Sequence, residues 1–517
     1  MVTKNIIREN TYLDSIILMS VSNQLRQLDE VDEVSVIMGS NANKEILKNI
    51  GLLSSEGEKA GPGDLIIALR VKNETMLEKV LEKVEILITQ RVLKRETQEQ
   101  SLPKSYHAAL KMKPQANLAL ISLPGEYAAS AAMEVLESGR HVMIFSDNVP
   151  VEEEIRLKYR ARDLELMVMG PDCGTAIING VALGFANVVR RGSFGIVGAS
   201  GTGIQELTTL LHKRGYGISQ AIGLGGRDLS QKVGGMSMLQ GIAALEADPN
   251  TEIIILLSKP PAAEIANLIF DTVRKLKKKY IINFLNGDPM EAEKRNLPFA
   301  SGLEEAVEIA ISMKEQRPYK PVYFTEDEKA LEALAIEERE KIGKGKYLRG
   351  LFSGGTLADE SLLILSKEIG EIHTNIPLKE ELKLKNSWES VAHTIVDMGE
   401  DEFTSGRPHP MIDFSLRSDR LLKEADDDTC GVILFDVVLG YGAHIDPAEV
   451  LVPAIEKAQE IAWTQARYIS FVTSITGTEE DPQNYSKQRS ALEKAGVIIL
   501  PSNAQAALFT VLLLKEE

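Results

Sequence analysis

The residues best suited to chemistry form a glycine-rich turn between an apolar run and a helical pattern. The turn is Gly198-Ala199-Ser200-Gly201-Thr202-Gly203, and Ile204, Leu207 and Leu211 mark the buried face of the helix after it. Glycines allow a sharp turn and a close approach of the backbone to a ligand. The free N–H groups and the positive dipole end of the helix favour an anion. The pattern predicts a phosphate site, and a tight turn without a ligand is the structural alternative.

Four further glycine-rich segments follow apolar runs along the chain. They are Gly170–Gly174, Gly223–Asp228, Gly354–Thr356 and Gly440–His444. Ligands of parallel sheets collect at the carboxyl ends of the strands, so the recurrence favours a functional site. Gly440 and Gly442 are predicted as additional anion contacts. The predicted substrate loop consists of Gly225, Gly226 and Arg227.

Side chains able to bind anions or transfer protons follow other apolar runs. Lys259 comes shortly after the run Ile253–Leu257. Two prolines stiffen the loop around Arg407 and His409, so Arg407 is held ready to pair with a carboxylate or phosphate. His409 can donate to an oxyanion or act as a general acid or base. Lys259, Arg407 and His409 are therefore candidate catalytic residues.

Three more candidates lie in the carboxyl-terminal part of the chain. His444 ends a glycine turn, where its ring either reaches bound phosphate or caps the turn. Thr476 and Thr478 follow the run Tyr468–Val472, and their hydroxyl groups are potential anion donors.

The two cysteines of the chain have neither disulfide nor metal-ligand spacing, so no metal site is predicted.

Composition sets the class of protein. The 517 residues are 44% hydrophobic and 26% charged, which is ordinary for a globular chain of about three domains. The formal charge of −17 argues against sequence-independent nucleic-acid binding, which depends on Lys and Arg. The first residues lack the apolar core of a signal peptide, and every apolar stretch is far shorter than the roughly 20 residues needed to cross a bilayer. We therefore expect a cytoplasmic protein with no nucleic-acid or membrane partner.

Short β-branched runs alternate with segments of helical periodicity along most of the chain. Strands that are apolar on both faces are typical of parallel sheets covered by helices on both sides. The pattern predicts an α/β protein with several parallel-sheet domains. The predicted strands are Val34–Met38, Asp64–Val71, Leu118–Ser122, His141–Phe145, Leu166–Met169, Phe194–Val197, Ile253–Leu257, Tyr280–Phe284, Val432–Leu439, Tyr468–Val472 and Val497–Leu500.

Changes of composition separate five segments. They span residues 1–104, 105–190, 191–317, 318–345 and 346–517. The first is predicted to be a small α/β domain. In the fourth, Thr325-Glu326-Asp327-Glu328 has the capping-box pattern that begins a helix, which continues to about Ile342. The charged and Ala/Leu-rich composition of this helix favours a solvated linker.

Two parts of the chain resemble succinyl-CoA synthetase. From about Asn117 to Pro289 the chain is similar to the α subunit, and from about Arg349 to Val511 it is similar to the carboxyl-terminal domain of the β subunit. The similarity includes Gly170–Cys173, Gly198–Thr202, Gly223–Asp228 and Ala247–Leu257. It implies a Rossmann domain of the CoA-binding type for 105–190 and flavodoxin-like domains for 191–317 and 346–517.

Nearly the whole chain also resembles the FdrA family. The matching stretches are Gly198–Glu206, Ala221–Asp228, Gly406–Asp413 and Thr476–Pro482. The family implies a subunit of a multi-component oxamate carbamoyltransferase, which uses phosphate to split oxalurate into oxamate and carbamoyl phosphate in allantoin (purine) degradation. It also implies a small anionic substrate, phosphate, and other subunits of the same pathway as partners in a hetero-oligomer.

Departures from the synthetase bear on the chemistry. The loop that carries its phosphorylated histidine corresponds to residues 290–301, which contain no histidine, and His444 is a candidate replacement. Lys259 occupies the position of the glutamate that orients that histidine, and this paired change favours a bound anion. The two helix N-termini that hold phosphate are expected at Gly198–Gly203 and Gly440–His444.

Two alternative functions stay open. An acyl-CoA synthetase would need the missing histidine and an ATP-grasp domain, which the sequence does not contain. A non-catalytic subunit that binds acyl-CoA or phosphate is the other alternative. CoA is therefore an open cofactor, and no other cofactor is predicted. The CoA-binding turn of the synthetase has no clear counterpart, and at Gly39–Lys44 a simple helix cap is the favoured interpretation.

Overall fold

The computed structural model describes the chain apart from residues 1, 10, 12–17, 19–20, 23, 26–27, 29, 73–75, 85, 88–102, 104, 405–406 and 516–517. Gly406, at the start of the predicted Arg407 loop, therefore lies outside the described residues. The chain forms two compact units, residues 1–114 and residues 115–517.

The first unit is built on a three-stranded antiparallel sheet. Its strands are β1 (Val2–Arg8), β2 (Val31–Met38) and β3 (Leu65–Val71), in the order β1-β3-β2, and its helices include α1 (Asn41–Asn49), α2 (Ser55–Glu58) and α3 (Tyr106–Met112). Central β3 is buried on both faces because its alternate side chains enter two cores. Ser40 caps α1 by accepting from the N–H of Asn43, so the segment at Gly39–Lys44 is a helix cap.

The second unit begins with a short parallel sheet. Its strands are β4 (Leu118–Ile121), β5 (His141–Ile144) and β6 (Val168–Met169), with α4 (Gly125–Glu137) and α5 (Val151–Asp163) as the connections. Each helix follows the carboxyl end of a strand, as expected for βαβ units.

A six-stranded mixed sheet follows, in the order β12-β11-β9-β10-β7-β8, with β9 to β12 parallel. Its strands are β7 (Thr175–Ile178), β8 (Val181–Gly184), β9 (Arg191–Gly198), β10 (Ile218–Gly223), β11 (Ile253–Ser258) and β12 (Lys279–Phe284). Its helices are α6 (Gly201–Lys213), α7 (Met236–Ala247), α8 (Ala263–Val273), α9 (Pro289–Glu293) and α10 (Leu303–Lys314).

The third sheet is entirely parallel, in the order β14-β15-β13-β16-β17-β18. After α11 (Glu328–Ile342) come β13 (Tyr347–Phe352), α12 (Gly355–Glu368), β14 (His373–Thr374), β15 (Thr394–Asp397), α13 (Asp401–Thr404), α14 (Ser415–Asp426), β16 (Cys430–Val438), α15 (Pro447–Thr464), β17 (Ser470–Thr476), α16 (Tyr485–Lys494), β18 (Val497–Leu500) and α17 (Asn503–Leu514). The predicted α/β fold with several parallel sheets is confirmed. Among the described residues, no helix is both long and apolar enough to span a bilayer.

The hairpin β7–β8 joins the second sheet through an antiparallel pairing with β10. The predicted boundary near residue 190 would have assigned it to the preceding domain. Asn179 and Gly180 connect its strands with positive φ angles of 52° and 82°. An Asn-Gly pair between apolar runs is a strong hairpin signal, and the sequence interpretation missed it.

Helix α11 differs from the predicted solvated linker. It begins at Glu328, and its cap is Asp327, whose carboxylate accepts from the N–H groups of Lys329 and Ala330. Thr325, the predicted cap, instead bonds Gln505. Leu331, Ala335, Glu338 and Ile342 are buried because they recur at helical spacing on one face. The helix is therefore part of the core.

The second and third sheets share one hydrophobic core. This core contains buried side chains from both, including Leu207 and Leu210 of α6, Leu357 and Leu362 of α12, and Phe509 of α17. Helix α6 is buried on all sides from Gly203 to His212, which is typical of a helix at the centre of a large domain. The shared core fixes α6 and α12 relative to each other.

Candidate functional site

Helix α6 begins in the predicted glycine turn. Ser200 is the N-cap, and its Oγ accepts from the N–H of Gly203 at 3.1 Å. A Cβ on Gly201 would lie 3.2 Å from Thr175 Oγ1, and one on Gly203 would lie 2.7 Å from Leu257 Cδ2. The glycines of this turn thus pack closely against side chains of β7 and β11. The first-turn N–H groups of an α-helix have no partner within the helix, so they can meet an anion.

The helix whose N-terminus meets α6 is α12. Ser200 Oγ and Thr356 Oγ1 are hydrogen-bonded, and a Cβ on Gly354 would lie 3.0 Å from Thr202 Cγ2. The glycine turn at Gly354–Thr356 therefore supplies the second N-terminus of the site.

The expectation of a helix N-terminus at Gly440–His444 is wrong. Helix α15 begins only at Pro447, with Asp446 as its cap. The N–H of Gly440 donates to Gln483 at 3.0 Å, and Gly442 packs close to the ring of Phe185. Gly440 and Gly442 shape a loop that packs against residues 184–187.

A buried ion pair holds the turn before α12. Asp436 accepts from the N–H groups of Ser353 and Gly354 at 2.8 and 2.7 Å, and Arg417 Nη1 donates to it at 2.6 Å. Both charged side chains are at most 1% exposed. Sequence interpretation missed this pair. The sequence feature that could have revealed the pair is Asp436, a charged residue inside the apolar run Val432–Leu439.

Lys259 reaches across to the third sheet, where it meets carboxylates. Its Nζ lies 2.9 Å from Asp359 Oδ2. A Cβ on Gly355 would lie 3.4 Å from Lys259 Nζ and 2.5 Å from Asp397 Oδ2, so both groups border the first turn of α12. Although desolvation opposes the charge, Asp359 and Asp397 raise the pKa of Lys259. Neither carboxylate was among the predicted site residues.

His409 lies beside this group of charges. A Cβ on Gly399 would lie 3.0 Å from His409 Nε2 and 3.1 Å from Asp397 Oδ1. His409 Nδ1 accepts from the N–H of Met411 at 3.2 Å, which leaves the ring proton on Nε2. Burial lowers the pKa of His409 to about 4, so the ring is a neutral donor.

His444 has a similar hydrogen bond but a different place. Its Nδ1 accepts from the N–H of Asp446 at 3.1 Å, and its ring packs edge-on against Phe414. Its backbone N–H donates to the carbonyl of Met411 at 2.8 Å. The ring therefore helps to order the loop before α15, which agrees with the capping role, one of the three roles expected for His444.

The other predicted anion contacts have partners within the protein. The hydroxyl of Thr476 donates to Glu206, and that of Thr478 donates to the carbonyl of Val188 at 2.8 Å. Both threonines are buried between the second and third sheets. Their hydroxyl protons are thus engaged in joining the two sheets.

Arg407 and Lys259 are not brought together by any contact among the described residues. Arg407 is exposed, and its guanidinium lies 5.6 Å from the centre of the Trp388 ring. The predicted substrate loop is also separate. Gly225 packs on Pro171, and Arg227 binds Glu154 at 3.0 Å and the carbonyl of Val149 at 2.8 Å.

The comparisons with known proteins agree with this architecture. Residues 351–513 match the CoA-ligase family, residues 190–287 match the CoA binding domain, and residues 1–104 match the family described as AllF, heavy metal-associated domain. The α subunit of succinate–CoA ligase from Aquifex aeolicus is 31% identical over 150 residues, which is 28% of this chain and 48% of that subunit. The chain thus matches about half the length of that subunit. ATP citrate lyase from Methanothrix soehngenii is similar over 79% of each chain, with 13% identity and a TM-score of 0.36.

The family matches imply CoA as a ligand. The charges in the first turns of α4 and α5 bear on whether CoA can bind there. These helices begin at the carboxyl ends of β4 and β5, where a Rossmann sheet binds its ligand. Glu126 lies in the first turn of α4, and Glu152, Glu153 and Glu154 lie in the first turn of α5. Carboxylates at helix N-termini repel the phosphate groups of CoA. The acidic first turns therefore disfavour CoA at this edge, whereas the residues that match the CoA binding domain, 190–287, lie in the second sheet.

The heavy metal-associated match also implies a metal. Residues 1–104 contain neither Cys nor His, the usual ligands of soft metal ions. Within the part of the chain that the structure describes, no group of three or more His, Cys, Asp or Glu side chains is arranged to hold a metal ion. The described residues therefore do not fit such an ion.

One relative matches almost from end to end. The uncharacterized protein YahF of Escherichia coli (strain K12) is 41% identical over 509 residues, which cover 98% of each chain. The chain therefore belongs to the FdrA-like family that includes YahF, and it is built on an acyl-CoA ligase scaffold.

Proposed function

We propose that this chain is a subunit of an oxamate carbamoyltransferase-like enzyme, in which phosphate cleaves oxalurate to oxamate and carbamoyl phosphate. The observation that carries the proposal is the contact between the first turns of α6 and α12, with Lys259 at its border. Free N–H groups and the helix dipole favour phosphate at such a place. Phosphate would lie against both turns.

The charged and polar residues around these turns have complementary roles in the proposal. Lys259 would attract the substrate carboxylate, and Arg407 would pair with it from its exposed loop. The Nε2–H of His409 would stabilise the oxyanion that forms when phosphate attacks the ureido carbonyl. Thr476, Thr478, Gly440 and Gly442 have no role here because their polar groups or packing are committed elsewhere.

The names of the ligase relatives favour a second candidate, an acyl-CoA ligase subunit. Such a mechanism passes phosphate through a histidine, which must offer an unprotonated ring nitrogen. His409 and His444 each accept a hydrogen bond at Nδ1, which leaves the proton on Nε2. This geometry supports direct attack by phosphate in preference to a phosphohistidine.

Ligand binding should separate the candidates. We expect calorimetric titration of the full chain to detect inorganic phosphate and carbamoyl phosphate, with CoA binding much more weakly because the first turns of α4 and α5 are acidic. Incubation with labelled ATP should leave no acid-labile phosphate on the protein. A strong label on His409 or His444, together with tight CoA binding, would favour the ligase.

Removing the cations should lower activity. A charge-assisted hydrogen bond contributes on the order of 1.5–3 kcal/mol, so Lys259→Met and Arg407→Met should each slow phosphate-dependent cleavage of oxalurate by the assembled complex about ten- to a hundred-fold. The control is Lys294→Met, because Lys294 is 61% exposed and pairs with Glu291 in α9. Full activity in both test variants would place the carboxylate site elsewhere.

A further inference from the structure

Asp397 occupies a position where a carboxylate is unfavourable if an anion binds. It ends β15, its side chain is 2% exposed, and its Oδ2 points at the first turn of α12. An ionised Asp397 would repel phosphate held by that turn. A protonated Asp397 would instead donate a hydrogen bond to it.

The surroundings of Asp397 hold it in place and leave one oxygen available. Asn375 brackets its backbone, accepting from its N–H and donating to its carbonyl at 2.9 and 2.8 Å. Oδ1 accepts from the N–H of Gly399 at 2.8 Å. Among the described residues, no hydrogen bond is made to Oδ2.

Burial brings the pKa of this carboxyl group into the neutral range. Burial raises the pKa of Asp397 to about 7; Glu400 and Asp359 add to the effect, while Lys259 and the N–H of Gly399 oppose it. The neutral ring of His409 lies close to Gly399, beside the carboxyl group of Asp397. A carboxyl group in this range can both release and take up a proton near neutral pH.

We propose that Asp397 is the proton carrier of the anion site: it is protonated when the anion binds, and it moves the reaction's proton. The second part rests on the proposed function. As an oxygen of hydrogen phosphate bonds to the ureido carbon, the C–N bond breaks, its electron pair stays on nitrogen, and that nitrogen takes the proton of Asp397 Oδ2. The Asp397 carboxylate then takes the remaining O–H proton of the transferred phosphate group and is protonated again. Oxamate and carbamoyl phosphate leave, and Asp397 is ready for another cycle.

Proton uptake on binding tests the first part without requiring any turnover. Sulfate is the probe because it does not titrate near neutral pH, and inorganic phosphate is the comparison. Calorimetry of the full chain at about pH 7.5, in two buffers of different ionisation enthalpy, should show uptake of roughly half a proton or more per sulfate. Asp397→Asn should bind sulfate with little uptake, whereas the control Asp419→Asn, at an exposed position of α14, should retain it. Equal proton uptake by Asp397→Asn and by the natural chain would overturn the proposal. Sulfate binding to the natural chain without proton uptake would also overturn it.

Turnover by the assembled complex tests the second part. Asp397→Asn should lower kcat for oxalurate cleavage about 10²- to 10⁴-fold and remove the limb of the pH profile near neutrality, while Asp397→Glu recovers part of the rate. The control Asp419→Asn should keep both the rate and that limb. A natural complex that binds sulfate with uptake but leaves oxalurate intact would refute the proposed function and support Asp397 as the anion-linked proton site. A cleaving complex with an unchanged Asp397→Asn rate would overturn the proton carrier alone.

Discussion

Replacing Lys158 with Met should lower the free energy of unfolding by about 3–5 kcal/mol. Lys158 is completely buried in α5, and its Nζ lies 2.8 Å from Glu154 Oε1 and 2.7 Å from Asp228 Oδ1. Asp228 also accepts from the N–H groups of Ser237 and Met238 in the first turn of α7. Removing the ammonium group leaves two buried carboxylates close together without a cation. The loss of unfolding free energy is largest when breaking an ion pair leaves buried charges without a partner.

Urea denaturation followed by circular dichroism measures this loss as a shift of the midpoint. The matched control is Lys487→Met, because Lys487 is 63% exposed and its pair with Asp446 lies in solvent. Exposed pairs contribute about 0–1 kcal/mol, so the control should unfold almost like the natural chain. Equal midpoints for the two variants would contradict the role of this cluster. A loss confined to Lys158→Met would show that α5 is anchored to the Gly223–Asp228 loop through charge.

The stability of the protein should fall as the pH rises through the weakly acidic range, and Glu360 should be a main cause. Its side chain in α12 is fully buried, where it accepts from the N–H of Leu303 at 2.6 Å and from Asn503 at 2.8 Å. Burial raises the pKa of Glu360 from 4.5 to about 7, with Glu206 and Glu304 adding to the effect against those two hydrogen bonds. Between these pKa values the folded chain holds a proton that the unfolded chain has released. The contribution of Glu360 to stability is therefore greatest below about pH 4.5, and on the order of 3 kcal/mol is lost by about pH 7.

The variant Glu360→Gln cannot ionise, so it isolates this contribution. Its unfolding free energy should change less than that of the natural chain between about pH 5 and about pH 7.5, whatever its absolute stability. Glu368→Gln is the matched control in the same helix, because Glu368 is 43% exposed and its pair with Lys515 lies at the surface. Parallel pH curves for Glu360→Gln and the natural chain would contradict the assignment.

Much of the fold was predictable because buried strands leave long apolar runs. The run Ile253–Leu257 lies within β11, and the run Val432–Leu439 overlaps β16 as far as Val438; both strands are buried at every position. The exceptions have physical causes. Strand β15 has only Ile395 and Val396 between polar residues, and β14 consists of His373 and Thr374, so neither strand leaves an apolar run in the sequence. The solvation of α11 was misjudged because its buried face consists of Leu and Ala among charged residues.

The site was only partly predictable, because its partners are chosen by tertiary packing. The turns at Gly198–Gly203, Gly354–Thr356 and Gly440–His444 look equally suited to an anion in the sequence. Only the contact between Ser200 and Thr356 selects α12 as the partner of α6. Asp397 was missed for a related reason. An aspartate after a short apolar run is unremarkable until folding places it beside Lys259 and Gly355.

The single core beneath α6 and α12 has a consequence for how the family can diversify. Since both helices are anchored in that core, the distance between their first turns cannot adapt to a larger or smaller substrate by sliding of one domain over the other. A change of substrate range must then come from the rim, at positions such as Lys259 and His409 and in the loop that carries Arg407. Paralogues of this chain should accordingly keep the two helix N-termini and exchange the rim residues, so that substrate preference evolves by a few point substitutions on an unchanging frame.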